Sequence, residues 1–179
     1  GRGFRPGQWA WTDSISSWTW PVEAGAAIRV EVYSNAHEVE LLLNGSVIGR
    51  QPVGPDYDFR TQFECTYQPG ELVAVSYRDG VEEARTSLAS ASGPRRLTAT
   101  ADRHTIANDD RDLSFVVIEL RDAAGTLVTG ADVVVSVTVE GAGELKAFGS
   151  ARPDNAERFN CGTHTTFDGR ALAIVRPTG

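Results

Sequence analysis

The chain has 179 residues, is 41% hydrophobic, and carries a formal net charge of −7. That length suits two domains of about 90 residues, and an acidic chain repels phosphate backbones, which excludes nucleic acid as the expected partner. No apolar run reaches the roughly 20 residues of a membrane span, and charge is too dispersed for a disordered tail.

All four tryptophans fall in the first 21 residues, within Q8-W-A-W-T-D-S-I-S-S-W-T-W-P21. Trp9 and Trp11 are spaced i, i+2, as are Trp18 and Trp20, so an extended chain puts each pair on one face. Such a pair stacks on the apolar C–H face of a sugar ring, or packs against protein, where each indole buries about 150–250 Å². The segment precedes the first clear strand, and packing against a neighbouring domain is the stronger reading. The opening G1-R-G-F-R-P6 has no apolar core of a secretory leader, and the chain has no methionine. A piece cut from a longer chain is therefore expected, with its compartment left open.

The next stretch has period two. Ile28, Val30 and Val32 alternate with Arg29, Glu31 and Tyr33. In E38-V-E-L-L-L-N-G-S-V-I-G-R50, Asn44-Gly45 sits between two apolar runs, a strong signal for a type I′ hairpin. Phe59, Thr61, Phe63, Cys65 and Tyr67 are predicted on one face of the following strand. After the turn Q68-P-G70 comes the strand L72-V-A-V-S-Y77, and Asp79-Gly80 predicts a second tight hairpin into V81-E-E-A-R-T-S-L88. A89-S-A-S-G-P94 is small, flexible in composition and ended by proline, a predicted linker.

In the second half, L97-T-A-T-A101 is a strand. L113-S-F-V-V-I-E-L120 is nearly all apolar and is expected to be central and buried on both faces. D132-V-V-V-S-V-T-V-E140 is a β-branched strand broken by G141-A-G143, and F167-D-G-R-A-L-A-I-V-R176 is the last strand. No segment has an amphipathic helical pattern. The fold class is all-β: two tandem immunoglobulin-like antiparallel β-sandwiches of about seven strands each. The expected division is a tryptophan strap over 1–21, a first sandwich over 22–88, a linker over 89–96, and a second sandwich over 97–179.

Signatures of catalysis are missing. The chain has no G-x-S-x-G elbow, P-loop, dinucleotide fingerprint or H-E-x-x-H. His37, His104 and His164 are scattered and read as surface residues. Cys65 and Cys161 form no CxxC and read as separate buried thiols. N108-D-D-R-D112 has the oxygens of a cation loop but not its spacing, so a solvated turn is expected. The run from Pro153 to Glu157, with Asp154 and Asn155 inside it, is a weaker case of the same kind, leaving a cation near Asp109 or Asp154 as an open possibility. Glu144 has no second carboxylate to make a glycosidase pair. No cofactor, metal site or catalytic residue is expected.

Several strings resemble a known family. S17-W-T-W-P21 followed by I28-R-V-E-V-Y-S-N-A-H-E-V-E-L-L-L-N-G-S-V-I-G49 resembles the segment after the catalytic barrel in β-galactosidase-like members of glycoside hydrolase family 2, with Leu42 where that family has phenylalanine. Y67-Q-P-G-E-L-V-A-V-S-Y77 and Asp79-Gly80 continue the match. A101-D-R103, D112-L-S-F-V116, A131-D132 and G169-R-A-L-A-I-V-R176 resemble the immunoglobulin-like domain that closes those enzymes. F148-G-S-A-R-P-D154 departs from the G-N-G-D-P-like loop of many members.

The resemblance implies a parent that is a retaining exo-glycosidase of terminal β-galactosides, with both catalytic glutamates in the barrel and the acid/base in an Asn-Glu pair. This chain has no Asn-Glu dipeptide. It would then be a non-catalytic accessory region whose partner is its own barrel, with Trp9, Trp11, Trp18 and Trp20 clamping the first sandwich to it. Two alternatives stand beside this: a carbohydrate-binding module that holds a galactoside-containing polymer through Trp18 and Trp20, and an immunoglobulin-like adhesion or spacer segment.

Overall fold

The computed structural model describes residues 14–109 and 111–178. Trp9 and Trp11 lie outside the described residues. The chain divides into two compact units. The first closes at Trp18 and resumes over Val22–Ser90, and the second takes Thr19–Pro21 and everything from Ala91. Each unit is an antiparallel β-sandwich of a four-stranded and a two-stranded sheet, and no α-helix occurs among the described residues.

The first unit has six strands: β1 (Ala27–Tyr33), β2 (Glu38–Leu43), β3 (Ser46–Pro52), β4 (Arg60–Thr66), β5 (Glu71–Arg78) and β6 (Val81–Ala89). Its sheets run β3-β2-β5-β6 and β1-β4. Both predicted hairpins form. Asn44 and Gly45 have φ of 51° and 79°, and Asp79 and Gly80 have 51° and 80°. This is the pair of positive φ values that a type I′ turn requires. Alternation does the rest: Val39, Leu41 and Leu43 of β2 are buried, as are Phe63 and Thr61 of β4 and Leu72, Val73 and Val75 of β5. Across β1 and β4 the outward residues Arg29 and Glu64 face each other and pair at 2.7 Å, a cross-strand ion pair on the exposed side. Phe59 does not join the predicted face. It precedes β4 at φ 56° and is half exposed, because the chain reverses there through a 3-10 turn at Pro55–Tyr57.

Asn44 does more than turn the chain. Its Nδ2 donates to Pro69 O at 3.1 Å, and its Oδ1 accepts from Glu71 N at 2.9 Å. The β2–β3 turn is thereby tied to the turn before β5. Asn44→Ala loses both bonds and the residue's tolerance of positive φ. We expect it to cost the first unit about 1–2 kcal/mol, read from the denaturant midpoint. An unchanged midpoint would mean that these bonds merely replace water.

The second unit has β7 (Arg96–Ala101), β8 (Ser114–Arg121), β9 (Val134–Ser136), β10 (Gly143–Gly149), β11 (Thr163–Thr165) and β12 (Arg170–Pro177). Its sheets run β10-β12-β8-β7 and β11-β9. The core gathers Ile118, Val135, Phe148, Ala171 and Ala173. Six strands replace the expected seven in each unit, among the described residues. β8 is central, between β12 and β7, but it is not buried on both faces. Ile118 and Leu120 point inward, while Phe115 and Val117 are 37% and 39% exposed on the other side. The predicted strand 132–140 shrinks to three residues because its partner β11 offers only three. Val137 then continues with a single bond from its N to Gly162 O at 2.7 Å.

Residues predicted as linker are hydrogen-bonded within their units. In the first, Ser90 Oγ donates to Trp18 O at 2.6 Å. In the second, Ala91 N donates to Thr19 Oγ1 at 2.8 Å and Ser92 N to Asp122 Oδ2 at 2.9 Å.

Asp122 is buried and gathers backbone N–H groups at the turn after β8. Besides Ser92 N, it accepts Thr126 N at 2.8 Å. The hydrogen bond from Ser92 N, outweighing burial and joined by those from Thr126, Ala124 and Gly125, holds its pKa below the ordinary 3.8. A carboxyl whose folded pKa is depressed stabilises the fold above its unfolded pKa, and loses that contribution as pH falls toward the folded value. The second unit should therefore lose stability below about pH 3.8. Asp122→Asn should flatten that acid limb in a series of melts, and an identical acid limb in the variant would overturn the assignment.

Candidate functional site

Among the described residues the strap begins at Ser14. Trp18 is 2% exposed. Its Nε1 donates to Gln68 O at 3.0 Å, and its ring meets the Tyr67 ring at 5.2 Å with a 58° tilt. Trp18 O accepts from Ser90 Oγ and, at 3.5 Å, from Tyr67 Oη. The strap is thus stitched to the end of β4, and Trp18 offers no open face to a sugar. Trp20 falls in the second unit and is half-buried. There Thr19 O accepts from Thr129 Oγ1, and a Cβ on Gly130 would stand 2.7 Å from Pro21 Cγ. Only a glycine leaves room for that proline. Trp18 thus packs in the first unit, and Trp20 belongs to the second.

The acidic candidates are structural. Asp109 Oδ1 accepts Arg111 N at 2.9 Å and Asp112 N at 2.8 Å, while Asp112 Oδ2 accepts Ala107 N at 2.7 Å. Carboxylates that bond their own backbone make the expected turn. Asn155 Oδ1 likewise accepts Glu157 N at 3.0 Å, and Arg152 Nη1 stands 3.9 Å from Asp154. No group of three metal-ligating side chains occurs among the described residues. Glu144 sits between Arg176 at 2.6 Å and Lys146 at 3.4 Å. The hydrogen bond from Arg176, then that from Lys146, lowers its pKa. A general acid needs the opposite shift.

Two residue types differ from expectation. Cys161 is exposed and Cys65 half-buried, both as free thiols, and burial pushes the Cys65 thiol up. His164, expected at the surface, is fully buried. Its Nδ1 lies 3.0 Å from Thr165 O, and because a carbonyl only accepts, Nδ1 carries the proton. Glu157 Oε2 lies 3.4 Å from the same nitrogen. Phe148 packs edge-on to the ring at 6.1 Å and Phe159 stacks on it at 5.4 Å and 20°. Among the described residues, Nε2 has no hydrogen-bond partner, and neither has the buried Ser150 Oγ.

Beside that cluster the second unit carries a groove of about 550 Å³. Its floor is the outward face of β8, β10 and β12, including Val117, Leu172 and Ile174, and its rim includes Phe159, Asp168 and Arg170. Sequence reading missed it, because it is made by the outer side of a strand taken as wholly interior.

No described helix is long and apolar enough to cross a membrane. The fold defines a class: tandem antiparallel β-sandwich units, the first carrying a stitched N-terminal strap. Comparison with known proteins gives the family. Residues 97–179 match the model of glycoside hydrolase family 2 C-terminal domain 5, and residues 25–84 match a domain of unknown function, DUF4982. The chain is 29% identical over 175 residues to a β-galactosidase of Bacteroides ovatus, covering 94% of this chain and 20% of that protein. It is 28% identical over 174 residues to a putative β-glucuronidase of Formosa agariphila, covering 93% of this chain and 17% of that protein. A solved family 2 glycosyl hydrolase from Bacteroides cellulosilyticus superposes with a TM-score of 0.88 at 33% identity, covering 95% of this chain and 24% of that one. The chain thus spans about a fifth of the length of these curated relatives. Residues 97–179 are thus a C-terminal domain of the glycoside hydrolase family 2 kind, and nearly the whole chain is similar to C-terminal accessory β-sandwich sequence of family 2 enzymes.

Proposed function

We propose that this region is non-catalytic and serves a retaining exo-glycosidase that hydrolyses terminal β-galactosides. Its sandwiches buttress the catalytic barrel and shape access to its pocket. The observation that carries this reading is the anchoring of Trp18: a strap whose indole is 2% exposed and bonded to Gln68 O is built to hold its sandwich in place. Each acidic cluster found has a structural explanation, and Glu144 is held by two cations, which agrees with catalytic glutamates residing in another domain.

The test titrates the chain with galactose, lactose and a β-galactan while following tryptophan emission, alongside an aryl β-galactoside hydrolysis assay. A flat titration and no turnover are expected. A saturable emission change that disappears in Trp18→Ala or Trp20→Ala would make the strap a sugar-binding element instead, and turnover by this chain alone would overturn the accessory role. In the parent enzyme, Trp18→Ala should lower kcat/KM on the same galactoside without creating new specificity.

A further inference from the structure

We propose that the groove on the outer face of the second unit is a binding subsite for a neutral hexopyranoside, separate from the tryptophan strap. A volume of about 550 Å³ falls within the roughly 300–1,000 Å³ of small-ligand sites. Its floor is apolar, and Phe159 stands at its edge 52% exposed. That ring is not a loose side chain. It is stacked on His164 at 5.4 Å, and its own carbonyl accepts Phe148 N at 2.8 Å. A rigid aromatic wall above an apolar floor suits a ligand with an apolar face, and a pyranose presents such a face through its axial C–H groups.

The polar groups specify the rest of the ligand. Asp168 lies on the rim with no side-chain partner for its carboxylate among the described residues. Ser150, which lines the groove, has a buried hydroxyl with no hydrogen-bond partner among the described residues. His164 Nε2, buried and also unpartnered among the described residues, lies behind that lining: a Cβ on Gly149, which lines the groove, would stand 3.5 Å from it. A buried polar atom without a partner calls for an absent one. The Asp168 carboxylate only accepts and the Ser150 hydroxyl both donates and accepts, so the ligand must donate hydrogen bonds, directly or through a bridging water. A polyol with one apolar face meets that requirement. An anionic ligand meets Asp168 unfavourably, and a purely apolar ligand leaves both polar groups unanswered. Arg170, paired with Glu119 at 3.2 Å, closes the far end of the rim.

Gly149 is what keeps the wall open. A side chain there would collide with the Phe159 ring, displacing the platform and filling the approach to Nε2 together.

The test titrates the full chain with methyl β-D-galactopyranoside and follows backbone amide shifts and the side-chain ¹⁵N signals of histidine by NMR. Saturable shifts are expected at residues 149–151 and 167–170, with movement of the His164 Nε2 signal. Phe159→Ala and Asp168→Asn should each weaken binding about tenfold. Asparagine also tolerates the positive φ of 49° at this turn, so the second variant keeps the hairpin. Gly149→Ala should abolish binding. Absence of shifts at saturating sugar, or shifts confined to residues 14–21, would overturn the proposal. So would an apolar dye that binds the groove while the sugar does not, which would mark the face as a protein contact. Because no tryptophan lines the groove among the described residues, a failure here leaves the emission titration of the strap unaffected, and the two readings fail separately.

Discussion

Trp18→Ala is expected to destabilise the first unit by about 3–5 kcal/mol, measured by denaturant unfolding. The indole is among the largest fully buried side chains of the described residues. Its removal leaves a cavity against Tyr67, and it orphans Gln68 O. The two effects add, because the lost apolar contact and the stranded carbonyl are separate terms. Trp18→Phe divides them. It keeps most of the contact and loses only the N–H, so about 1–3 kcal/mol is expected. If both variants unfold with the parent chain, the strap is a passenger and its proposed clamping role fails. Since all four indoles lie in the strap, the transition should be read by amide circular dichroism, which survives loss of the probe.

Phe148→Ala is expected to cost the second unit a similar amount, about 3–5 kcal/mol. Phe148 is fully buried on β10, at the centre of the cluster with Ile118, Val135, Ala171 and Ala173. Its neighbours are small or β-branched and sit on strands fixed by their ladders, so they have little freedom to fill the void. Phe159 provides the internal contrast. It lies two residues from Cys161 on an exposed segment and is 52% exposed, so Phe159→Ala should cost only about 1 kcal/mol. Equal losses for the two would mean that the stacked Phe159 ring, rather than Phe148, seals the core over His164.

Much of the fold is legible locally. Asn44-Gly45 and Asp79-Gly80 announce their hairpins because turn chemistry is a property of two adjacent residues. Asp168-Gly169, with φ of 49° and 73°, makes a third that was read only as part of a strand. The alternation of β2, β4 and β5 is equally local. What escaped depends on partners far away in sequence. Val134 and Val135 look alike on paper, yet one is 66% exposed and the other 6%, because they point to opposite faces of β9 and only one face meets the core. β11 itself, T163-H-T165, has no apolar pattern to betray it. His164 is buried only because Phe148, Phe159 and Glu157 converge on it from other segments. The groove was hidden for the same reason: an apolar strand does not say which of its faces receives a cover. The strap was the reverse case, since four clustered indoles signalled an anomaly without saying that Trp18 would turn inward.

The turns also set an order in time. In the first unit, β2–β3 and β5–β6 close across two residues each, whereas β1 must find β4 with Ile28 opposite Cys65. Hairpins close in about 1–10 μs, and distant pairings wait for the chain to bear a larger loop-closure entropy. The β3-β2-β5-β6 sheet should therefore assemble first and serve as the template on which β1 and β4 settle. Trp18, which docks on Tyr67 at the end of β4, can be seated only afterwards. In stopped-flow refolding its emission should lag the amide signal; coincident traces would show that the strap collapses early. On that order, burial of one indole is the latch of the first unit, and an intermediate with its sheet formed and its strap still open is the species most exposed to proteases and chaperones.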